Sequence, residues 1–265
     1  MPMSYTVLDN TYPNHLPDPQ MPENVVCLQE KVRESGADIG LAFDGDGDRL
    51  GVIDERGDRH EADYVLMLLA RDLLRSQPGA KIIVDVKTSQ PAMDDITSHG
   101  GQPLVWKTGH SYIKLKMREE QAPLAGEASG HIFFGENFYS DDALFAACKL
   151  LTYLSQSEKP LSAHLAGIPR WYTSPEYRVP CADDKKWAVV DAVAAELRKR
   201  HDAVEIDGIR ATFPDGWALV RASNTGPNLT LRFEAKTQAS LDAISDEVLG
   251  ALRKHLPGAA PSTAH

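Results

Sequence analysis

An acidic loop between two apolar segments carries the strongest chemical signal in the sequence. Asp44, Asp46 and Asp48 alternate with glycines in the run DGDGDR, so the chain can curl tightly and aim three hard oxygen ligands at one point. This arrangement suits one Mg²⁺ ion with open positions for water or a phosphate oxygen. An acidic hairpin turn in solvent is the alternative interpretation. Three ordered carboxylates between two predicted strands favour the metal site.

A calcium-binding EF-hand loop is a further alternative, because Asp44, Asp46, Asp48 and Glu55 have the spacing of its carboxylate ligands. Arg49, however, stands where that loop needs glycine, and the flanking runs DIGLAF and LGVID are predicted strands rather than helices. The EF-hand is therefore disfavoured. The guanidinium of Arg49 would oppose a cation unless an anion lay between them, which favours a phosphate ligand. The alternative is an arginine that balances its own aspartates.

The run GEASGH has residue types that suit a sugar ligand. Glu127, Ser129 and His131 alternate, so their side chains face one side if the segment is extended. A carboxylate beside a hydroxyl suits the vicinal hydroxyl groups of a sugar, and histidine adds a group that titrates near neutral pH. Taken alone the motif is weak, because a capping role is the alternative for Glu127 and a lone histidine such as His131 is more often structural than catalytic.

A third loop, RASNTGP, lies between two predicted strands and has the composition of an anion-binding nest. Ser223, Asn224 and Thr225 supply turn residues with exposed N–H groups, and Arg221 adds a bidentate donor. An ordinary Asn-Thr-Gly-Pro turn is the equally weighted alternative. The loop is not a Walker A motif, because it lacks the GxxxxGK[ST] pattern.

Weaker candidates follow two other predicted strands. Lys87 ends the strand KIIVDV, and Lys107 and His110 follow the strand PLVW, at strand ends where α/β sheets present ligand groups. Either lysine is equally consistent with a surface charge. Ser98 beside His99 resembles a nucleophilic pair, but it ends a predicted helix before two glycines, so we interpret it as structural.

These loops need a framework, and the pattern of the chain predicts one. Apolar and β-branched runs alternate with amphipathic runs over residues 38–154, which predicts an α/β unit with a mostly parallel sheet. Prolines interrupt the pattern over residues 160–175. Beyond them the order of one strand, a helix, three strands and a helix predicts a small α+β unit.

Composition restricts the kind of protein. The 265 residues are 42% hydrophobic and 25% charged, which is typical of a globular chain of one or two domains. A net charge of -10 argues against nucleic acid or an anionic membrane as the main partner. Three widely spaced cysteines, no signal-peptide pattern and no apolar run of bilayer length predict a cytoplasmic protein.

Together the motifs resemble the α-D-phosphohexomutase family, in particular its bacterial phosphomannomutase/phosphoglucomutase branch. The resemblance begins at YPNH, continues through DGDGDR, WKTGH and GEASGH, and ends at RASNTGP followed by LRFEA. It implies a mixed-sheet α/β domain and a small α+β C-terminal domain. It also implies interconversion of the 1- and 6-phosphates of glucose and mannose through a phosphoserine and a hexose 1,6-bisphosphate. Asn224 favours this branch, whereas Gly226 departs from the threonine common at that position.

The resemblance implies roles for three groups of residues. The ligands of Mg²⁺ would be Asp44, Asp46 and Asp48. The residues at the reacting phosphoryl group and the sugar would be Arg49, Lys87 and His131 for catalysis, and Glu127, Ser129, His110 and Lys87 for sugar binding. The residues that hold the phosphate that is not transferred would be Arg221, Ser223, Asn224 and Thr225.

The resemblance also leaves a gap, because the active serine of the family lies in a TASHNP-like motif of an N-terminal domain that no run of this sequence matches. We therefore predict residues 1–57 as the remnant of a second domain, residues 58–168 as the third domain, residues 172–257 as the C-terminal phosphate-binding domain and residues 258–265 as a frayed tail. The prediction is a truncated mutase whose partner is its own missing N-terminal domains. Such a chain would bind hexose phosphates but would not turn them over alone.

Overall fold

The computed structural model of the chain describes residue 9 and residues 11–224, 226–260 and 262–263. Within these residues the chain divides into two units. The first unit contains the residues up to Thr88 together with Ala92–Ile168, and the second contains Ser89–Pro91 together with the residues from Pro169 onward. The predicted metal and sugar loops fall in the first unit, and the predicted phosphate loop falls in the second.

A three-stranded antiparallel sheet positions the acidic loop in the first unit. Its strands, in spatial order, are β1 (Ile39–Phe43), β2 (Leu50–Asp54) and β3 (Arg59–His60). Phe43 pairs with Leu50, so the six residues between them form the end of the β1–β2 hairpin. The run DGDGDR is therefore a hairpin loop held between two paired strands, as its apolar flanks predicted.

Helix α1 (Val26–Ser35), which follows the 3-10 helix Pro22–Val25, packs closely against β1. The close approach depends on Gly40, because a Cβ atom at that position would lie 2.7 Å from Cγ2 of Val32. Val32 in turn packs with Ile53 in a small apolar cluster. The helix thus supports the hairpin from one side.

A five-stranded mixed sheet forms the larger part of the first unit. Its strands are β4 (Lys81–Asp85), β5 (Gln102–Trp106), β6 (Leu124–Gly126), β7 (Ile132–Phe134) and β8 (Ser140–Asp141). In the spatial order β5-β4-β6-β7-β8 the first three strands are parallel and the last two are antiparallel. The mostly parallel sheet that we predicted is thus parallel over three strands only. The reason is the short connection from β6 to β7, because parallel neighbours need a long crossover.

Five helices belong to this part of the chain. The apolar side chains of β4 are buried on both faces of the sheet, which shows that helices cover both faces. The five helices are α2 (Ala62–Ser76), α3 (Gln90–Ser98), α4 (His110–Glu120), α5 (Ala143–Ser155) and α6 (Leu161–His164), with a 3-10 helix at Gly135–Asn137. Ile82 and Val84 pack in one apolar cluster with residues of α2 and α5, whereas Ile83 packs in another with Ile113 and Met117 of α4. All three β4 side chains are fully buried, as expected of a central strand covered on both sides.

The second unit is an antiparallel sheet with two main helices. Its strands are β9 (Tyr172–Thr173), β10 (Tyr177–Pro180), β11 (Ala203–Val204), β12 (Ile209–Phe213), β13 (Gly216–Ala222), β14 (Asn228–Ala235) and β15 (Ser262–Thr263), and its helices are α7 (Lys186–Leu197) and α8 (Gln238–His255). The spatial order is β11-β12-β13-β14-β10-β15, and β9 also pairs with β14. Val193 of α7 and Val248 of α8 share one apolar core with Val220 and Leu231 of the sheet.

Three further features concern sequence predictions. Strand β15 pairs with Tyr177 and Arg178 of β10, at a place where we expected an irregular tail. All three cysteines are free thiols. Among the described residues, no helix combines the length and the apolar character that crossing a bilayer requires.

Candidate functional site

The acidic loop curls around the carboxylate of Asp44. Its Oδ1 accepts hydrogen bonds from the backbone N–H groups of Gly47, Asp48 and Arg49 at 3.0, 3.0 and 3.1 Å. Gly47 has a φ of 78°, in the left-handed region that glycine adopts without strain. Carboxylate oxygens of Asp44, Asp46 and Asp48 lie within 4.8 Å of one another. Three hard oxygen donors at this spacing fit the predicted Mg²⁺.

Repulsion among these carboxylates is visible in their pKa values. Burial raises the pKa of Asp48 to about 6, and the negative charges of Asp44, Asp46 and Asp141 raise it further in the same direction. Burial acts upward on Asp44 as well, but hydrogen bonds from Arg49 outweigh it and lower the pKa of Asp44. A divalent cation would relieve the repulsion, so the electrostatics of the loop favour positive charge at this point.

Arg49 is paired with carboxylates of its own unit. Its Nε donates to Asp44 Oδ2 at 2.7 Å, and its Nη1 lies 3.1 Å from Asp18 Oδ2. The side chain is 26% exposed, so the guanidinium is only partly enclosed by these partners. In this structure Arg49 balances its own aspartates, and its contact with a phosphate stays a prediction.

Backbone contacts join the acidic loop to the GEASGH segment. Arg49 and His131 form an isolated antiparallel bridge, and the N–H of Leu50 donates to the carbonyl of Gly130 at 3.1 Å. On the other side of the loop, the carbonyl of Gly47 accepts a hydrogen bond from the N–H at the start of α5. Two segments that are far apart in the sequence therefore lie side by side, and strands on both sides hold them in place.

The GEASGH segment is a tight turn rather than the extended segment that we predicted. The N–H of Gly130 donates to the carbonyl of Glu127 at 3.0 Å, and the turn joins β6 to its antiparallel neighbour β7. Gly130 allows the reversal, since its φ of 100° lies in the region that favours glycine. The polar side chains nevertheless meet, because Ser129 Oγ lies 2.9 Å and Glu127 Oε2 lies 3.4 Å from Nδ1 of His131. The turn, and not alternation along a strand, brings them together.

Glu127 is a buried carboxyl group whose protonation is strongly altered. Burial raises the pKa of Glu127 to about 7, and the charge of Asp85 acts in the same direction. A hydrogen bond from the N–H of Gly109 and the charge of Lys87 act in the opposite direction. The Gly109 N–H donates to Oε1 at 2.5 Å. A carboxyl group with a pKa near 7 exchanges protons readily at neutral pH, which is the property that general acid–base catalysis requires.

The other first-unit candidates surround Glu127 and its neighbour His131. Burial lowers the pKa of His131, although the charge of Asp141 opposes this, and Nε2 lies 3.3 Å from Asp48 Oδ1. Lys87 follows β4, and its charge acts on Glu127. His110 is the first residue of α4 and directly follows the glycine that donates to Glu127. The first unit therefore brings all of its sequence-predicted site residues into one region.

Asp141 belongs to this region and was missed by the sequence reasoning. Ligand atoms of Asp141, Asp48 and His131 lie within 4.8 Å of one another, and Lys114 Nζ lies 2.5 Å from Asp141 Oδ1. Among the described residues, Asp141 Oδ2 is buried without a hydrogen-bond partner. The available signal was the pair of adjacent aspartates, since Asp142 caps α5 through the N–H of Phe145 and its neighbour is left for another role.

The loop RASNTGP joins β13 to β14 in the second unit. Arg221 is buried, and its Nε lies 3.0 Å from Asp207 Oδ2 but is not aligned for a hydrogen bond. The N–H of Ser223 donates to the carbonyl of Asn228 at 3.0 Å, which closes the base of the loop. Asn224 is exposed, and Thr225, the fourth predicted phosphate ligand, lies outside the described residues.

By fold, the chain is an α/β protein in which a mixed-sheet unit with an acidic hairpin loop is followed by an α+β unit with an antiparallel sheet. Three family models match it in order. Residues 4–57 match the alpha/beta/alpha domain II of phosphoglucomutase/phosphomannomutase, residues 61–172 match its alpha/beta/alpha domain III, and residues 176–251 match its C-terminal domain. The chain belongs to the phosphoglucomutase/phosphomannomutase family, as its motifs predicted.

Similar proteins agree with this assignment. The phosphomannomutase/phosphoglucomutase of Pseudomonas putida is 46% identical over 241 residues, which are 90% of this chain and 52% of that protein. The crystal structure of a phosphoglucomutase/phosphomannomutase family protein from Burkholderia thailandensis is 43% identical with a TM-score of 0.88, over 96% of this chain and 55% of that one. This chain spans about half the length of the curated relatives it matches.

A more distant structure shares the fold alone. The N-acetylphosphoglucosamine mutase of Aspergillus fumigatus, in complex with GlcNAc-6P and magnesium, matches with a TM-score of 0.58 and 16% identity. The match covers 81% of this chain and 48% of that one. At this identity the comparison shows a shared fold only, and the ligands named belong to that protein.

Proposed function

We propose that this chain carries the metal, sugar and phosphate loops of a phosphomannomutase/phosphoglucomutase that interconverts the 1- and 6-phosphates of glucose and mannose. The observation that carries the proposal is the backbone bridge between Arg49 and His131, because it joins the acidic loop to the GEASGH turn. In this reaction a phosphoserine gives its phosphoryl group to the sugar, and the resulting hexose 1,6-bisphosphate returns its other phosphoryl group to the serine.

Asp44, Asp46 and Asp48 would hold Mg²⁺ in this proposal. Their mutual distances and the raised pKa of Asp48 support a cation at this point. When bound, Mg²⁺ supplies neutralisation of the charge on the transferring phosphoryl group. Asp48 would bind as the carboxylate, so its proton must leave when the cation binds.

Arg49 and Lys87 would supply the fixed positive charge for the reacting phosphoryl group. Arg49 is anchored at Nε by Asp44, while the outer part of its guanidinium contacts the partly exposed Asp18. A phosphate oxygen can replace Asp18 as the partner of Nη1, because guanidinium binds phosphate and carboxylate with the same geometry. Arg49 would then hold Asp44 and the phosphoryl group at once.

Glu127, Ser129 and His110 would bind sugar hydroxyl groups, with His131 beside the reacting oxygen. Because burial lowers the pKa of His131, its imidazole is neutral at pH 7 and can accept the proton of an attacking hydroxyl group. Ser129 Oγ lies 2.9 Å from Nδ1, which orients the ring, and Nε2 lies 3.3 Å from Asp48 Oδ1. Nε2 would exchange the proton once Mg²⁺ holds Asp48.

Arg221, Ser223, Asn224 and Thr225 would hold the phosphate that is not transferred. The buried Arg221 guanidinium at the start of the loop and the exposed Asn224 at its tip support an anion-binding role. Gly226 in place of threonine removes one hydroxyl donor from the loop. Backbone N–H groups then carry a larger share of the contacts to the phosphate.

A coupled assay tests the proposal. Glucose 1-phosphate or mannose 1-phosphate, Mg²⁺ and glucose 1,6-bisphosphate are supplied to this chain alone, and then together with the N-terminal half of the Pseudomonas putida relative. We expect formation of the 6-phosphate only with both parts present, and loss of it in an Arg49→Met variant of this chain. Turnover by this chain alone would contradict the requirement for a serine supplied from elsewhere.

A second candidate function is binding without catalysis, as a phosphosugar- and Mg²⁺-binding fragment. The observation that favours it is that no run of the sequence matches the TASHNP-like serine motif. Calorimetric titration of this chain with glucose 1-phosphate and Mg²⁺ separates the candidates. Binding without turnover in either form of the assay favours the fragment, and absence of binding contradicts both candidates.

A further inference from the structure

A buried lysine of the second unit lies under the loop RASNTGP. Lys186 is the first residue of α7 and is 6% exposed. Its Nζ donates to the carbonyl of Ser223 at 2.6 Å, to the carbonyl of Gly226 at 3.2 Å and to Asp183 Oδ1 at 2.7 Å. All three N–H donors of the ammonium group therefore have acceptors, and two of them belong to the loop.

A buried position at the start of a helix is unfavourable for the ammonium group of a lysine. A cation at the first turn of a helix opposes the helix dipole, and a buried ammonium group loses its hydration. The N-cap of α7, Lys185, makes no side-chain capping bond, so the helix start has no compensating gain there. The contacts that offset these costs are the two loop carbonyls and Asp183, which points to a role in the loop.

The contact with Ser223 determines the direction of the next N–H group. In a trans peptide the carbonyl of one residue and the N–H of the next point in opposite directions, and no described peptide bond is cis. Because the carbonyl of Ser223 points at Lys186, the N–H of Asn224 points away from it. Asn224 is exposed, and its N–H donates to no acceptor among the residues that the structure describes.

We infer that Lys186 is a positioning residue that holds the Asn224 N–H outward as a preformed donor for the phosphate group bound by this loop. The inference rests on the proposed phosphate-binding role of the loop. Lys186 itself does not touch the ligand in this account. Its ammonium group fixes the carbonyl side of the loop, so that the amide side is ordered before the anion arrives and binding costs less conformational entropy.

Backbone hydrogen bonds also hold the loop, and they differ in position from the contacts that Lys186 makes. The N–H of Ser223 donates to the carbonyl of Asn228, and the N–H of Cys181 donates to the carbonyl of Pro227 at 2.9 Å. These bonds hold the two ends of the loop. Among the described side chains, the Lys186 ammonium supplies the contacts to the carbonyls on both sides of the tip, Ser223 and Gly226. Its removal should therefore loosen the tip and leave the strands in place.

Titration of the full chain with inorganic phosphate, followed by the amide resonances of Asn224 and its neighbours, tests the inference. Lys186→Met keeps the aliphatic stem and removes the ammonium group, and we expect a rise of about tenfold in the dissociation constant, equivalent to about 1.4 kcal/mol. Asp184→Ala is the matched control, because Asp184 is exposed in the same segment and its loss leaves all three contacts of the Lys186 ammonium group intact. We expect this control to bind phosphate within about twofold of the wild type.

Two further measurements separate a positioning role from general stability. The Lys186→Arg variant, which keeps the charge and several donors, should recover most of the affinity that Lys186→Met loses. In the wild type without phosphate, the Asn224 amide should show an order parameter near that of rigid backbone, about 0.85. This last measurement needs no variant, so it decides the case even if Lys186→Met fails to fold.

The outcomes are distinct. Phosphate binding of equal strength in the wild type and in Lys186→Met, or a highly mobile Asn224 amide in the free wild type, would overturn the role of Lys186 and leave the phosphate loop standing. A wild-type chain in which phosphate shifts neither Asn224 nor Arg221 would overturn the phosphate loop itself, and with it the inference. Phosphate binding that is weakened in Lys186→Met but not in the control variant supports the inference.

Discussion

Replacement of Glu127 by glutamine is expected to stabilise the first unit at pH 8 and to change its stability much less at pH 5. Burial raises the pKa of this carboxyl group from its ordinary value of 4.5 to about 7. The folded state therefore holds the proton more tightly than the unfolded chain does. Between these two pKa values unfolding releases a proton, so the free energy of unfolding falls as the pH rises from 4.5 to 7.

The size of the effect follows from the same two pKa values. A change from 4.5 to about 7 corresponds to a loss of about 3 kcal/mol of stability, which is complete above pH 7. Glutamine carries no titratable charge, and its Oε1 can still accept the hydrogen bond from Gly109. We expect the gain in stability of Glu127→Gln over the wild type to be about 2 kcal/mol larger at pH 8 than at pH 5.

Urea unfolding at the two pH values measures this difference. The indole resonance of Trp106 reports on the first unit, because the other three tryptophans of the chain lie beyond residue 168. Glu158→Gln is a matched control at an exposed position, and its effect should be the same at both pH values. A Glu127→Gln variant with an equal effect at pH 5 and pH 8 would refute the account of a carboxyl group kept protonated by burial.

Three other outcomes can be checked. Asp46→Asn should weaken Mg²⁺ binding about tenfold or more, as measured by calorimetry. Asp38→Asn, at an exposed position, should leave the Mg²⁺ affinity unchanged, and equal affinities in the two variants would place the cation elsewhere. Because the pKa of Asp48 is about 6, Mg²⁺ affinity should fall about tenfold from pH 7 to pH 5, and a flat profile would contradict a protonated Asp48. Gly40→Ala should lower the free energy of unfolding by about 1–3 kcal/mol, because the new Cβ would lie 2.7 Å from Val32; an unchanged urea midpoint would argue against this close packing.

The sequence predicted most of the framework, because local patterns determine most of it. The run KIIVDV is rich in β-branched residues, and the structure places it as a central strand whose apolar side chains are covered on both faces. The glycine-spaced aspartates predicted a curled hairpin loop, and their carboxylates do lie together. The direction of the strands was harder to predict. Strand β7 runs antiparallel to β6 because a turn precedes it, and the residues of that turn resemble those of an extended segment.

Contacts between distant segments could not be predicted from local patterns. Asp141 enters the site through its position in β8, beside the turn that carries His131, and the pair of adjacent aspartates in the sequence does not indicate which segment Asp141 contacts. Lys186 is the same kind of case, because two of its three acceptors are backbone carbonyls that lie far along the chain. The type of a residue indicates which bonds its side chain can form, whereas the groups it actually contacts depend on the topology of the sheet.

The hydrogen bonds that Asp44 accepts from its own loop also have a consequence for the timing of cation exchange at the proposed Mg²⁺ site. A loop that folds only around its ion must rearrange its backbone each time the ion enters or leaves. Here three amide groups already have their acceptor, so entry and departure require side-chain motion, which is far faster than backbone refolding. We therefore expect that Mg²⁺ can be removed from the proposed site and restored without unfolding of the loop.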